Sequence, residues 1–420
     1  MRVLIVNTSE KTGGAAVAAR RLMEALNNHG VKTKMLVRDK ETDHVSVVAL
    51  PQSPMLRWHF LWERLVVFAH LHFSRKHLFE IDMANAGSDI TRLPEFQVAD
   101  IIHLHWVNQG MLSLSGIRKI LRSGKPVVWT MHDIWPATAI CHVTLECKSY
   151  KSACHDCRLL PGHGGKNDLA ARIWRRKQHL LKDENVFYVA CSRWLEGEAK
   201  SSALLKGQKV TNIPNPIDTR IYHPQDQAEA REALGLPTDQ KLLLFAAQRT
   251  TNKNKGMDYL IDACRELAEQ DEHVGVILLG GHADEVASQL ALPVYPLGYV
   301  TNEQQLVQIY NAADVFVLPS LSENLPNTIM EAMACGVPSV GFNVGGIPEE
   351  IDHKKNGYVA AYRDAHDLAR GIQWVLRDAE AAELRSQCLR KVAHCYSQSA
   401  VALRYVEVYN QALAMKHYKL

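Results

Sequence analysis

Long apolar runs are missing from this sequence of 420 residues. None approaches the roughly 20 residues that cross a bilayer, so a membrane-spanning chain is excluded. An excess of one charge is missing too: 48 Lys plus Arg stand against 45 Asp plus Glu, a formal net charge of +3. That balance argues against a polyanion-coating protein, and nucleic acid is not an expected partner. The opening MRVLIVNTSE holds one basic residue and a short apolar run closed by Asn7. A signal peptide needs a longer apolar stretch and a cleavage site, so a buried first strand and a cytoplasmic location are expected. Cysteines are few and odd in number, nine, which speaks for thiols or metal ligands over a disulfide frame. No G-x-G-x-x-G follows the first strand; Thr12-Gly13-Gly14-Ala15 stands there instead, which counts against a dehydrogenase. No Asp-x-Asp pair is present to hold a metal at a diphosphate.

What is present is an ordinary globular composition, 47% hydrophobic and 22% charged, in a chain longer than one core usually organises. Apolar runs at Val3–Val6, Met35–Val37, Ile101–Leu104, Val127–Trp129 and Val186–Ala190 alternate with helical patterns. A second set follows at Leu242–Ala246, Val276–Leu279, Val294–Leu297, Val315–Leu318 and Ser339–Phe342. Runs of this kind, bounded by Gly, Pro or Asp, suit parallel strands buried on both faces. The fold class is therefore α/β: two doubly wound, Rossmann-like parallel-sheet domains, each with a crevice at the carboxyl ends of its strands. Ile213-Pro214-Asn215-Pro216-Ile217-Asp218 places two prolines where a connector should lie. Domains are expected at 1–214 and 215–395. An amphipathic stretch at 396–420, carrying Val401, Leu403, Val406, Tyr409 and Leu413, could return to the first domain.

The segment richest in chemistry runs from Pro319 to Pro338, after the strand Val315–Leu318. Pro326 suits a first helical turn and Gly336 with Pro338 a stop, giving a helix of about ten residues. Its amino end opens at a strand's carboxyl end, where free N–H groups and the helix dipole favour a phosphate. Glu323 then lies in the loop before the helix and Glu331 in its second turn, so the two can bracket a ligand. After the strand Leu242–Ala246 comes Gln248-Arg249-Thr250-Thr251-Asn252-Lys253-Asn254-Lys255-Gly256. Two cations at a strand end, with a glycine allowing close approach, suit a diphosphate.

Three further features are singled out. His103, His105 and Trp106 follow the strand at Ile101; His103 reads as a structural residue and His105 as the one facing an acceptor. Cys141, Cys147, Cys154 and Cys157 could hold a structural zinc ion, with His142 and His155 as rival ligands and reduced or redox-labile thiols as the alternative. Residues 56–77 mix Trp58, Phe60, Trp62, Phe68 and Phe73 with Arg57, Arg64, Arg75 and Lys76. A helix on an anionic membrane surface would look like this, and so would one packed on the core.

The whole pattern resembles the retaining glycosyltransferases of family 4, which are built on the GT-B fold. The matching pieces are the Gly13-Gly14 loop, His132-Asp133, Asn215-Pro216-Ile217-Asp218, Arg249 with Lys255-Gly256, and Gly298-Tyr299-Val300. They continue through the Glu-x7-Glu segment, Gly345-Gly346-Ile347-Pro348-Glu349 and Asn356-Gly357. The cysteine cluster after His132-Asp133 is similar to the colanic-acid and capsule polysaccharide transferases, although Arg158 stands where relatives carry proline.

The resemblance implies roles. Arg249 and Lys255 would hold the donor diphosphate, helped by backbone amides near Asn327 and Thr328. Glu331 would bind the ribose, Glu323 the donor sugar, and the backbone near Val300 the base. Gly13 and Gly14 would line the donor site. His132 would sit beside the anomeric carbon, with His105 and Asp133 toward the acceptor. No metal or other cofactor would be required for catalysis. The implied activity is transfer from a UDP- or GDP-sugar to a growing, lipid-linked cell-surface glycan on the inner face of the cytoplasmic membrane, with closure about Pro214–Asp218. The rival readings are a GT-B epimerase or soluble-acceptor synthase, and a nucleic-acid module built on the cysteines and Arg172-Ile173-Trp174-Arg175-Arg176-Lys177, which the near-neutral charge disfavours.

Overall fold

The first strand shows how the sequence builds its layers. In β1 (Arg2–Ser9) the alternate residues Leu4 and Val6 pack into one apolar cluster, and Val3 and Ile5 into another on the opposite face. A strand covered on both sides must be apolar at every position, and the run Val3–Val6 is. The computed structural model describes every residue except 183, 185, 271, 272 and 418–420, with side chains as far as 415. The last three residues of the expected 396–420 stretch thus lie outside the described residues.

The chain divides into two compact units, one of Met1–Asn215 joined by the segment from Val401, the other of Pro216–Ala400. In the first, β2 (Lys32–Asp39), β3 (Val47–Ala49), β4 (Ile101–Leu104), β5 (Val127–Met131), β6 (Phe187–Ala190) and β7 (Lys209–Asn212) join β1 in the order β3-β2-β1-β4-β5-β6-β7. In the second, β8 (Lys241–Arg249), β9 (Val274–Gly281), β10 (Val294–Gly298), β11 (Val315–Leu318), β12 (Ser339–Phe342) and β13 (Gly357–Ala360) run in the order β10-β9-β8-β11-β12-β13. Every pairing is parallel. The strand order reverses between β1 and β4 and again between β8 and β11. Loops leaving those strands diverge there and open a crevice at the carboxyl ends.

Five strands per sheet were expected; seven and six are found among the described residues. The additions β3, β7 and β13 are three or four residues long, and β3 and β7 lie at the edges of their sheet. An edge strand is apolar on fewer positions, so its run is broken.

The helix Gln398–His417 enters the first unit's core from Val401 onward. Val401, Ala402, Tyr405 and Tyr409 are buried beside Val3, Ile5, Leu22 and Val128. Leu403, expected on the buried face, is instead 64% exposed. The tyrosines decide the orientation. Tyr409 Oη lies 2.7 Å from His103 Nδ1, Tyr405 Oη 2.9 Å from Thr130 Oγ1, and Thr130 Oγ1 2.7 Å from His103 Nε2. A buried hydroxyl without a partner costs about 1–3 kcal/mol, so these polar ends fix which face turns inward. His103 is accordingly a structural residue, and burial keeps its imidazole neutral by lowering its pKa to about 3.

Candidate active site

In the second unit three loops meet at the carboxyl ends of β8, β11 and β12. After β8 the chain passes Arg249 and turns at Asn252, whose Oδ1 accepts from Asn254 N at 3.0 Å. Gly256 follows with φ of 73° and starts the helix Met257–Ala268. A Cβ at Gly256 would overlap the carbonyl of Pro319 in the loop after β11. Leu321 N donates to Asn254 O at 2.8 Å across the same seam. Gly345, with φ of 57°, lies equally close to the carbonyl of Glu323. At both positions glycine is needed twice over, for a positive φ and for a backbone approach that admits no side chain.

This seam sets Lys255 against Glu323. Lys255 Nζ pairs with Glu323 Oε1, and Ser320 Oγ donates to the same oxygen at 2.9 Å. The pair is partly covered, with side chains 30% and 13% exposed. Three residues on from Glu323, Pro326 caps the helix Asn327–Ala334 without any side-chain hydrogen bond to its first turn. The first turn of that helix, with the positive end of its dipole, thus begins four residues after the carboxylate that Lys255 holds. The helix has eight residues, not ten, because Pro326 stands before it.

Glu331 lies in its second turn, 8% exposed, and Tyr310 Oη donates to its Oε2 at 2.7 Å. Asn327 and Thr328 are half-buried in the first turn, Val300 is half-buried just beyond β10, and Arg249 is exposed at the end of β8. Lys255, Glu323, Asn327 and Thr328 therefore share one strand-end surface.

One member of this neighbourhood gave no signal of its own. Glu350 closes the short helix Ile347–Glu350, is 0% exposed, and neither of its carboxylate oxygens has a hydrogen-bond partner. Burial, reinforced by the charge of Glu323, raises its pKa well above the ordinary value. The doubled glutamate in Pro348-Glu349-Glu350 was its only trace in the sequence.

In the first unit Gly13, with φ of 92°, starts the helix Gly14–Asn28. A Cβ there would meet nothing, so the backbone angle alone calls for glycine. His132 lies just past β5 and is partly exposed; its Nε2 is 2.8 Å from His105 Nδ1, and its Nδ1 is 3.5 Å from Cys191 Sγ. Burial keeps both imidazoles neutral, that of His132 with its pKa lowered to about 4. His105, expected to face an acceptor, is only 3% exposed and lies behind His132.

Asp133 is spent on positioning. Trp106 Nε1 donates to its Oδ2 at 2.9 Å, Trp135 N donates to its Oδ1 at 2.8 Å, and His142 Nδ1 lies 2.7 Å from Oδ2. On its other side His142 Nε2 lies 3.0 Å from Asp82 Oδ2, and Asp82 is paired with Arg64. Burial would lower the His142 pKa, but the two carboxylates push it up to about 10, so it carries a charge. Burial would likewise raise the Asp133 carboxyl, yet the His142 charge and the three donors hold it below the usual range. This ionic chain was not legible: Asp82 and Arg64 precede Asp133 by dozens of residues, and His142 read as a rival metal ligand.

All nine cysteines are free thiols. Burial pushes the Cys141 and Cys154 thiols up to about 12 and raises that of Cys157 too, so all three are protonated at neutral pH. Among the described residues no three His, Cys, Asp or Glu side chains stand in a metal-holding group. The two rival ligands are engaged elsewhere: His142 by two carboxylates and His155 by Asp156. A buried lysine occupies the neighbourhood instead: Lys177 Nζ donates to Trp135 O at 2.6 Å and Thr138 O at 3.0 Å, over the Trp135 ring.

Comparison with known proteins agrees with the two sheets and their strand-end loops. The chain is 27% identical over 362 residues to an uncharacterised glycosyltransferase of Methanocaldococcus jannaschii, covering 80% of this chain and 90% of that one. Sucrose-phosphate synthase from Thermosynechococcus elongatus superposes with a TM-score of 0.69 at 20% identity, covering 99% of each chain. Anabaena HepE, solved in complex with UDP-glucose, superposes with a TM-score of 0.64 at 19% identity, covering 98% of this chain and all of that one. The fold is GT-B. The model described as "Glycosyl transferases group 1" matches residues 240–378, and the model "Glycosyltransferase Family 4" matches residues 12–221, half of the sequence. The chain belongs to glycosyltransferase family 4.

Proposed function

We propose that this glycosyltransferase is a retaining hexosyltransferase. Its donor is a nucleoside diphosphate sugar, and its acceptor is a growing, lipid-linked cell-surface glycan of the colanic-acid or capsule type. The observation that carries the reading is the seam at Gly256, Pro319 and Gly345, which pairs Lys255 with Glu323 in the loop that leads into the helix Asn327–Ala334. A diphosphate there meets Lys255 and Arg249 as cations and the first-turn amides of Asn327 and Thr328 as donors. Glu323 turns to the sugar hydroxyls and Glu331 to the ribose. The complex of Anabaena HepE with UDP-glucose supports a uridine nucleotide and a hexose.

In the transfer, the bond from the anomeric carbon to the donor phosphate oxygen breaks, and its electron pair leaves with the nucleoside diphosphate. The acceptor oxygen bonds to the same face of that carbon, and its proton passes to the departing phosphate oxygen. Negative charge grows on that phosphate, so preorganised cations and amides stabilise the transition state more than the ground state. Charge neutralisation by Lys255 and Arg249 takes the place of a bound metal in this reading. His132, neutral and partly exposed at the end of β5, meets the sugar or acceptor; His105 and the Asp133 network hold it in place. Among the described residues no helix is long and apolar enough to cross a membrane. The reading places the protein at the inner membrane face by peripheral contact.

The test is a thermal-shift panel of UDP, GDP and their sugars, followed by product analysis. One nucleotide series is expected to raise the melting temperature, since a ligand bound only to the native state stabilises it. Lys255→Ala is expected to abolish that shift and lower kcat by about 100- to 1,000-fold. A panel with no shift, or an isomerised free donor in place of a new glycosidic bond, refutes the reading.

A further inference from the structure

The helix Pro54–His70 is turned inside out. Its buried face carries Glu63, Arg64 and Val67, while Met55, Trp58, Leu61, Trp62 and Leu65 are each more than half exposed. The exposed set recurs at helical spacing and forms one continuous apolar stripe, which Phe73 extends beyond the helix end. The orientation is fastened from within. Glu63 accepts from Ala84 N at 2.7 Å and from Gly110 N at 2.8 Å; Arg64 donates to Leu78 O at 2.6 Å and pairs with Asp82. Gly110 lies so close to the Phe60 backbone that a Cβ would press into it. Rolling the stripe inward would uncover this ionic network and strand its buried charges.

Two concavities open beside the stripe, each combining apolar walls with arginine. One, of about 670 Å³, is lined by Arg38, Arg57, Gln52, Leu56 and Phe60. The other, of about 400 Å³, is lined by Trp58, Trp62, Leu65, Phe68 and Arg75. Asp39 also lines the first concavity, where it is paired with Arg38, and the helix segment itself is basic. Arg57, Arg75 and Lys76 are exposed, and the only acid between 54 and 79 is the buried Glu63.

We propose that this face docks on an anionic phospholipid bilayer, with the helix lying in the headgroup plane, Trp58 and Trp62 seated at the interface, and Arg57 and Arg75 on lipid phosphates. The chemistry is that of an interfacial helix: aromatic and aliphatic side chains enter the headgroup–acyl boundary while cations meet anionic heads. With 17 residues the helix is also too short to span. The inference deepens the membrane-side reading above and names its surface.

The test is co-sedimentation of the full chain with vesicles of phosphatidylcholine alone and of phosphatidylcholine with phosphatidylglycerol, at low and high salt. The protein is expected to partition onto the anionic vesicles and to be released by salt. The double variant Trp58→Ser/Trp62→Ser is expected to lose at least about tenfold in partition. The double variant Arg57→Glu/Arg75→Glu is expected to lose the preference for anionic lipid. Both pairs are exposed, so melting temperature and any nucleotide-induced shift should match the native protein. Three results overturn the proposal: native protein left in solution with both vesicles, a tryptophan variant that binds like the native chain, or a concentration-dependent dimer that uses the stripe in place of lipid. Nucleotide shifts read on the same preparations keep the two readings apart. Vesicle binding without any nucleotide shift supports the docking face and refutes the donor site.

Discussion

Replacing Glu350 by methionine should make this protein more stable at neutral pH. The side chain is fully buried, its two oxygens lack hydrogen-bond partners, and its ordinary pKa is raised by burial and by the charge of Glu323. A polar group buried without a partner costs about 1–3 kcal/mol, and every unit of raised pKa adds about 1.4 kcal/mol above that pKa. The sign follows from linkage. In the unfolded chain the carboxyl ionises near its ordinary value, whereas in the folded unit it stays protonated to higher pH. Folding therefore binds a proton, and stability is fully present below the ordinary value and is lost as pH rises toward the folded pKa. Glu350→Met removes both the unpartnered group and this slope while keeping a similar volume. A gain of about 2 kcal/mol corresponds to a rise of about 4–8 °C in the melting temperature of a unit this size. Melting curves from about pH 5 to pH 8 read it directly, and the gap between variant and native should widen toward the alkaline end. A variant that melts lower than the native protein at neutral pH, or one that keeps the native pH slope, refutes the reasoning.

Two further outcomes follow from the site geometry. Gly256→Ala should weaken nucleotide binding measured by calorimetry and lower stability by more than about 1 kcal/mol, because the new Cβ meets the Pro319 carbonyl and φ is 73°; unchanged binding would mean that the seam does not position Lys255. The charge of His142, with its pKa pushed up to about 10, contributes stability that is fully present below about pH 6.5 and is lost as pH rises from there through about 10. His142→Ala should therefore cost about 3–5 kcal/mol at neutral pH by leaving Asp82 and Asp133 uncompensated, with the loss shrinking in alkaline melts.

The central strands were legible because a strand buried on both faces has no room for polar residues, and runs such as Leu242–Ala246 announce this without neighbours. Edge strands such as β3 and β7 do not. The loops after β8 and β11 were legible in residue type: Arg249, Lys255 and Glu323 stood out as cations and a carboxylate, with Glu331 in the helix that follows. The reason for Gly256 and Gly345 was not, because each is fixed by a carbonyl from a distant loop, and only the fold brings Pro319 or Glu323 within reach. The direction of the helix Pro54–His70 was ambiguous for a different reason. Apolar residues at helical spacing read the same whether the stripe faces core or solvent, and the answer lay with Ala84 and Gly110, whose amides claim Glu63. Glu350 and the Asp82–His142–Asp133 chain were hidden because burial of a charged residue is decided by partners, or by their absence, far along the chain.

The return of the terminal helix has a consequence for biosynthesis. Tyr405 and Tyr409 complete the core around β1 and β5, so that half of the molecule is assembled from two stretches with an entire second body inserted between them. During translation the inserted body emerges whole and can finish folding, while the earlier half waits with His103 and an oily groove uncovered until the closing helix leaves the ribosome. A nascent chain stalled before residue 401 should recruit chaperones to that groove, and the order in which the two halves mature would be the reverse of the order in which they begin.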